Sequence, residues 1–350
     1  PFRKEKNMKI AITTVQAPFV SGGAEFHAEN LKKALLRSGH EAEIVTIPFM
    51  DSTAEMIENH IIASRLLDLS DSWAGRIDLN IALKFPAYYI PHPNKVVWAL
   101  HQHRAAYDLY DTEFSNIRDT TEGRYIRDVI RNADQLYLKE AKRIYTISQN
   151  VVGRMRKYNQ IESQALYHPC PDMERFYCAG YDNYILMPSR INVTKRQMLA
   201  LEAMRYVKSD IKLYIVGKSD HPSVRDQMLD YIRAHKLQKK VKYFDYVTQE
   251  EKFELYAKAK AVLFIPLDED YGYITLEAMA ASKAVITACD SGGPLEFVLD
   301  ERTGYIVQPD AKDIAEKTDL LAGQNMLAEE MGKKAKGHLA EMNITWDQVV

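Results

Sequence analysis

Cysteine is scarce. Three residues, Cys170, Cys178 and Cys289, occur in 350 positions and form no Cys-x-x-Cys pair, which excludes a disulfide framework and favours a reducing compartment. No apolar run approaches the length of about 18 residues that a spanning helix needs, so neither a transmembrane segment nor a leader peptide is expected. Residues 1–7 read as a polar arm ahead of Met8. A formal net charge of −2 gives no basic field for nucleic acid. No internal period is present, which excludes solenoids and arrays. Metal-ligand spacing is absent too. Asp268-Glu269-Asp270 is a single short acidic run, and His101-Gln102-His103 lacks the i, i+4 spacing of a helical zinc pair. No metal and no nucleic-acid partner is expected, and the expected location is cytoplasmic.

What is present is an ordinary soluble composition, 46% hydrophobic and 27% charged, in a chain long enough for about two domains. Lys9–Val15 reads as a strand, followed by Gly22-Gly23, a helix with Ala24, Ala28, Leu31 and Leu35 on one face, and a strand over Glu43–Ile47. This is a βαβ unit, which favours a parallel sheet. Further strands are expected at 96–100 and 143–148, with Ser148 capping the next helix. The rigid run His168-Pro169-Cys170-Pro171-Asp172 marks a linker. Strand and helix then alternate again to residue 307, and two helices fill most of 311–341. The expected class is α/β, with two doubly wound Rossmann-like domains facing each other across a cleft. Their expected spans are 1–172 and 173–333, with a C-terminal segment, 334–350, returning to the first domain. Ligands of such sheets bind at the carboxyl ends of the strands.

The most informative residues are Glu269 and Glu277, which bracket Asp270-Tyr271-Gly272-Tyr273-Ile274-Thr275-Leu276. Gly272 permits a tight turn, and a helix opening at Tyr273, Ile274 and Thr275 presents amides that suit phosphate. Two carboxylates beside an anion site make sense when the ligand also carries hydroxyls, which a carboxylate accepts strongly. Phosphate plus polyol points to a nucleotide sugar. Arg190 and Lys195 follow the first strand of the second half, where two cations can neutralise a diphosphate. Gly217 offers a turn for close backbone approach, and Tyr246-Val247 offers a flank for a base. Gly292-Gly293-Pro294-Leu295-Glu296 is a loop-to-helix transition. Gly22 and Gly23 offer a second anion contact from the first half, and His101 ends a strand where a proton shuttle is useful. Each of these has a bland reading as well: a solvated cation, a strand-ending glycine or a structural histidine.

Taken jointly, the residues resemble family 4 of the retaining glycosyltransferases (GT4), which have the GT-B fold, over about Met8 to Trp346. The most specific match is the Glu-x7-Glu block from Glu269 to Glu277. Gly-Gly-Ala-Glu at Gly22–Glu25, Arg190 with Lys195, and Gly-Gly-x-x-Glu at Gly292–Glu296 add to it. The chain departs from the pattern at Ser189, where a glycine is frequent, and at Tyr271, where phenylalanine is.

The resemblance implies a retaining, metal-independent transfer of a sugar from a UDP- or GDP-sugar to an acceptor hydroxyl on a glycan or a lipid-linked or polysaccharide acceptor. No cofactor is required, the donor being a co-substrate. It also implies that Glu269 contacts donor-sugar hydroxyls, that Glu277 contacts the ribose, and that Gly272 to Thr275 hold the diphosphate. Arg190 and Lys195 stabilise the leaving group, and His101 lies near the reacting sugar. A nucleotide-sugar epimerase and a non-catalytic nucleotide-sugar sensor stay open as alternatives.

Between Arg124 and Lys157 stand nine Lys/Arg and three acids, an excess that suits either a solvated helical face or a peripheral contact with the inner face of a membrane.

Overall fold

The computed structural model describes residues 7–19 and 22–350. Residues 1–6 of the polar arm lie outside the described residues. The chain divides into two compact units, 1–171 with 345–350, and 172–344. No helix among the described residues is long and apolar enough to cross a membrane.

Unit 1 opens with β1 (Lys9–Gln16), α1 (Gly23–Arg37), β2 (Glu41–Pro48) and α2 (Ala54–Leu66). It continues with β3 (Leu79–Ala82), β4 (Lys95–Ala99), α3 (Thr121–Tyr137), β5 (Arg143–Thr146), α4 (Gln149–Arg154) and β6 (Gln164–Ala165). All pairings are parallel, in the order β2-β1-β3-β4-β5-β6. The six inner residues of β1 are buried, as a central parallel strand covered on both faces requires. On α1, Ala28, Leu31 and Leu35 are buried, and Ser148 accepts from the Val151 N–H to cap α4 at 3.1 Å. The sequence reading did not anticipate α2, β3 or α3. The first turns of α3 are dense with charge, and its apolar stripe is narrow: Ile126, Ile130 and Ala133.

Unit 2 contains β7 (Tyr184–Pro188), α5 (Gln197–Ala203), β8 (Lys212–Val216), α6 (Pro222–Ala234), β9 (Val241–Phe244) and α7 (Gln249–Lys258). β10 (Ala261–Leu263), α8 (Tyr273–Ala280), β11 (Ala284–Ala288), β12 (Gly304–Val307), α9 (Ala311–Gly323) and α10 (Asn325–Glu341) follow. Its parallel sheet runs β12-β11-β10-β7-β8-β9. Counted within the unit this is the 3-2-1-4-5-6 order of a doubly wound sheet. Each unit therefore has the Rossmann-like architecture. The core of unit 2 is one cluster around Ile185, Leu213, Ile215, Val241, Leu263 and Ile286. α8 is buried from Thr275 to Ala280 and apolar there apart from Thr275 and Glu277, the pattern of an interior helix.

The final segment differs from the expected span of 334–350. α10 buries Ala328, Met331, Gly332 and Ala335 within unit 2, and a side chain on Gly332 would meet the Ser282 carbonyl at 2.0 Å. Only 345–350, with α11 (Trp346–Val349), belongs to unit 1. There Trp346 packs against His168, ring centroids 5.9 Å apart, and against His27 at 6.2 Å.

Candidate active site

Sheet order decides which loops meet. β7 and β10 are neighbours in unit 2, although two strand-helix units separate them in sequence. Connections leave such a pair toward opposite edges, and a crevice opens at the carboxyl ends. The loop after β7 carries Arg190 and Lys195; the loop after β10 carries Glu269.

Lys195 and Glu269 meet there. The Lys195 Nζ donates to Glu269 Oε2 in an ion pair whose side chains are 15% and 26% exposed. Their backbones are pinned separately. Asn192 Oδ1 accepts from the Lys195 N–H at 3.0 Å. The Glu269 N–H donates to the Ser291 carbonyl at 2.9 Å, and its own carbonyl accepts from the Gly293 N–H at 2.8 Å. The Gly292-Gly293 segment is thus zipped along the Glu269 loop. A Cβ on Gly293 would stand 2.6 Å from the Tyr271 carbonyl oxygen, so only glycine lets the two loops close this far. Beside the pair, Arg196 makes a bidentate bridge to Asp290, both contacts 2.7 Å.

Gly272 caps α8 at φ +93°, a conformation other residues rarely adopt. Tyr273, Ile274 and Thr275 form the first turn, and the Thr275 N–H turns back to the Gly272 carbonyl at 2.9 Å. Thr275 Oγ1 is buried with no hydrogen-bond partner, an exception in a folded interior that invites a ligand or water.

Glu277 is engaged elsewhere. It is 5% exposed; Oε1 accepts from Lys252 Nζ at 2.7 Å and Oε2 from the Tyr256 hydroxyl at 2.6 Å. Lys252 and Tyr256 lie four apart on α7, on one helical face. That spacing is readable in the sequence, but the partner it faces is not. Arg190 is exposed and pairs with Asp220 at 3.1 Å, and Asn192 donates to the same carboxylate at 2.9 Å. The structure therefore joins Lys195 to Glu269 directly, whereas Arg190 and Glu277 have partners of their own.

Gly217 donates to the Phe244 carbonyl at 2.9 Å and accepts from the Tyr243 hydroxyl at 3.2 Å, so both its backbone groups serve the sheet. Val247 follows β9 in the lining of a groove with Tyr246.

In unit 1, Gly22 precedes α1 and donates to Glu25 Oε2 at 2.7 Å; Gly23 is the first helical residue. His101 follows β4, half-buried, with Nδ1 against the Gln102 carbonyl. Its loop rests on a buried polar chain. Gln102 Nε2 donates to Asn159 Oδ1 at 2.7 Å, Asn159 Nδ2 to the Tyr107 hydroxyl at 2.9 Å, and that hydroxyl to Asp134 Oδ2 at 2.6 Å. Burial raises the Asp134 carboxyl against these hydrogen bonds, which pull it down. Burial lowers neighbouring His103 to about 4.

The basic stretch from 124 to 157 is partly spent internally. Arg154 is 6% exposed, Arg124 pairs with Asp119 at 2.9 Å, Arg156 with Glu162 at 3.0 Å, and Arg127 stacks on Tyr110 at 4.0 Å. Among the described residues no group of three or more His, Cys, Asp or Glu is placed to hold a metal ion.

Residues 178–338 match the model of the family described as glycosyl transferases group 1. An α-1,3/1,6-mannosyltransferase of Dictyostelium discoideum is 29% identical over 35% of this chain and 29% of its own length. The alignments thus span about three tenths of the curated relatives that match first. An uncharacterized glycosyltransferase of Methanocaldococcus jannaschii is 22% identical over 98% of this chain and 96% of its own. Among solved structures, Anabaena HepE in complex with UDP and glucose superimposes with a TM-score of 0.71 at 15% identity, covering 98% of each chain. This likeness concerns the fold, the GT-B pair of Rossmann-like domains. The matched segment covers nearly all of unit 2 and contains every element of the Lys195–Glu269 site, so the likeness to the group 1 glycosyltransferases rests on this unit.

Proposed function

We propose that the chain transfers a glycosyl group from a nucleoside diphosphate sugar, UDP- or GDP-linked, to an acceptor hydroxyl, with retention at the anomeric carbon and without a metal. The observation that carries the reading is the Lys195–Glu269 pair beside the opening of α8 and the unpartnered Thr275 hydroxyl. A cation, a carboxylate and a helix start are the complement of a sugar pyrophosphate. As the bond from the anomeric carbon to the diphosphate oxygen lengthens, negative charge grows on the phosphate oxygens. Lys195, Arg190 and the amides of Gly272 to Ile274 stabilise that charge more than they stabilise bound donor, which is the source of rate; the Thr275 N–H, turned back to the Gly272 carbonyl, is left to the helix. Glu269 orients the sugar hydroxyls and holds Lys195 in place before the donor arrives. Glu277, fixed by Lys252 and Tyr256, presents its carboxylate to the ribose. Val247 and the Gly217 turn flank the base.

Within this proposal unit 1 supplies the acceptor side, and His101 and Gly22-Gly23 are the residues it would contribute. HepE was solved in complex with UDP and glucose, which supports a nucleotide-sugar donor. The acceptor is a glycan or a lipid-linked sugar. A cytoplasmic protein touching the inner face of a membrane through the exposed part of its basic segment accommodates both.

The test screens UDP-, GDP- and dTDP-sugars by thermal shift, since a bound donor raises apparent stability by mass action. Transfer of radiolabelled sugar with anomeric analysis follows, with and without EDTA. Retention with nucleotide release that depends on acceptor is expected. Epimer formation without release would establish the epimerase, tight binding without turnover the sensor, and loss of transfer in EDTA a metal requirement.

A further inference from the structure

A second binding surface lies on unit 2, outside the Lys195–Glu269 pair. Side chains alternate along β8 and β9. Leu213, Ile215 and Val241 point into the core, whereas Tyr214 and Phe244 stay half-buried between exposed lysines at 212 and 242. The side of the sheet that carries Tyr214 holds a groove of about 540 Å³ bordered by α7. That volume is within the range of small-molecule sites. Its floor is aromatic. Tyr184 and Tyr214 stack at 4.3 Å and 11°, Phe244 lies 5.5 Å from Tyr214, and Tyr246 is 69% exposed at the rim. Around the rings stand the carboxylates of Asp182, Asp210, Glu251 and Glu254. The ammonium groups of Lys212 and Lys258 stand among them, Lys258 3.5 Å from Glu254, and the exposed Lys242 reaches over the Tyr214 and Phe244 rings at 5.6 and 4.7 Å. Of the candidate donor residues the lining includes Val247 alone.

We propose that this groove binds a neutral oligosaccharide of two or three pyranose units. A pyranose has a face of C–H groups that lies flat on an aromatic ring and an equator of hydroxyls. Ring faces bury the first; carboxylates accept hydrogen bonds from the second. Four carboxylates against three ammonium groups leave the groove slightly acidic, which favours a neutral sugar over nucleotide and uronate chains, whose charge is negative. The inference goes beyond the proposed transfer: it places a glycan-holding surface on the unit that carries the family match, where it anchors a chain rather than reacts with it.

The full chain is titrated by calorimetry and saturation-transfer NMR with mannotriose, cellotriose, triacetylchitotriose and trigalacturonate. At least one neutral trisaccharide is expected to bind with a dissociation constant of about 1 mM. Tyr214→Leu and Asp210→Asn each weaken it at least about fivefold, the worth of one aromatic or hydrogen-bonding contact. Trigalacturonate does not bind, and UDP does not displace the trisaccharide. Asp210 is exposed, so its substitution carries the test if Tyr214→Leu does not fold. Failure of all three neutral trisaccharides to bind, binding that survives Asp210→Asn, equal binding of trigalacturonate, or displacement by UDP would each overturn the proposal.

Discussion

At the scale of single residues, an ammonium held against a carboxylate is a cation already positioned before any anion arrives. Lys195 is held by Glu269 above the Phe264 ring, 5.6 Å from its centroid, so little reorganisation precedes charge stabilisation. Lys195→Ala is expected to lower kcat by about 100- to 1,000-fold, the usual cost of one such donor. Saturating-donor turnover measures this, and a kcat within threefold or so of the parent would remove Lys195 from the reaction. Glu277 makes a different prediction. Its Oε2 has the Tyr256 hydroxyl as donor at 2.6 Å inside the protein. Tyr256→Phe removes that donor and is expected to cost about 1–3 kcal/mol of stability, read from urea unfolding. An unchanged midpoint would show that Glu277 is satisfied by Lys252 alone.

At the scale of elements, loops and a terminal helix depend on residues that look incidental. The Glu269 loop and Gly292-Gly293 run side by side, linked by the hydrogen bonds of Glu269. Gly293→Ala places a methyl group 2.6 Å from the Tyr271 oxygen. It is expected to cost about 1–3 kcal/mol as overpacking and to weaken donor binding through Glu269. Retained stability together with retained affinity would refute this. α11 rests on His27 and His168, which burial holds uncharged: His168 titrates at about 3, and His27 well below its ordinary value. An unfolded chain takes up the same protons near about pH 6.5. Below that value the unfolded state binds more protons, so stability is complete above it and is lost as pH falls toward His168's value of about 3. Melting curves from neutral to acid pH should fall through this window, and the fall should be shallower in His168→Phe. The same slope in both proteins would assign acid sensitivity to other groups.

At the scale of the whole molecule, the repeated alternation of strand and helix made two α/β units legible. The meeting of Lys195 with Glu269 was legible because each follows a strand at the carboxyl edge of a doubly wound sheet. The partners of Glu277 were not. Which face of α7 turns toward α8 is decided by packing, and no local propensity reports it. α3 escaped for the reverse reason: its charged surface outnumbers the Ile126-Ile130-Ala133 stripe that buries it. The chain does return to unit 1 around Trp346, but it does so at 345 and not at 334, because the close approach of Gly332 to Ser282 that holds α10 on unit 2 cannot be read from spacing.

That return has a consequence of its own. Unit 2 is inserted between residue 171 and residue 345 of unit 1. A ribosome therefore delivers Trp346 only after the whole of unit 2 has been made, and until then the ring surface of His27, Trp98 and His168 is left bare. A chain stopped at Ile344 should melt in two steps, with unit 1 losing stability and unit 2 keeping its own. A nascent unit 1 is thus incomplete for the entire synthesis of its neighbour, which makes it the stretch that most needs a chaperone's cover.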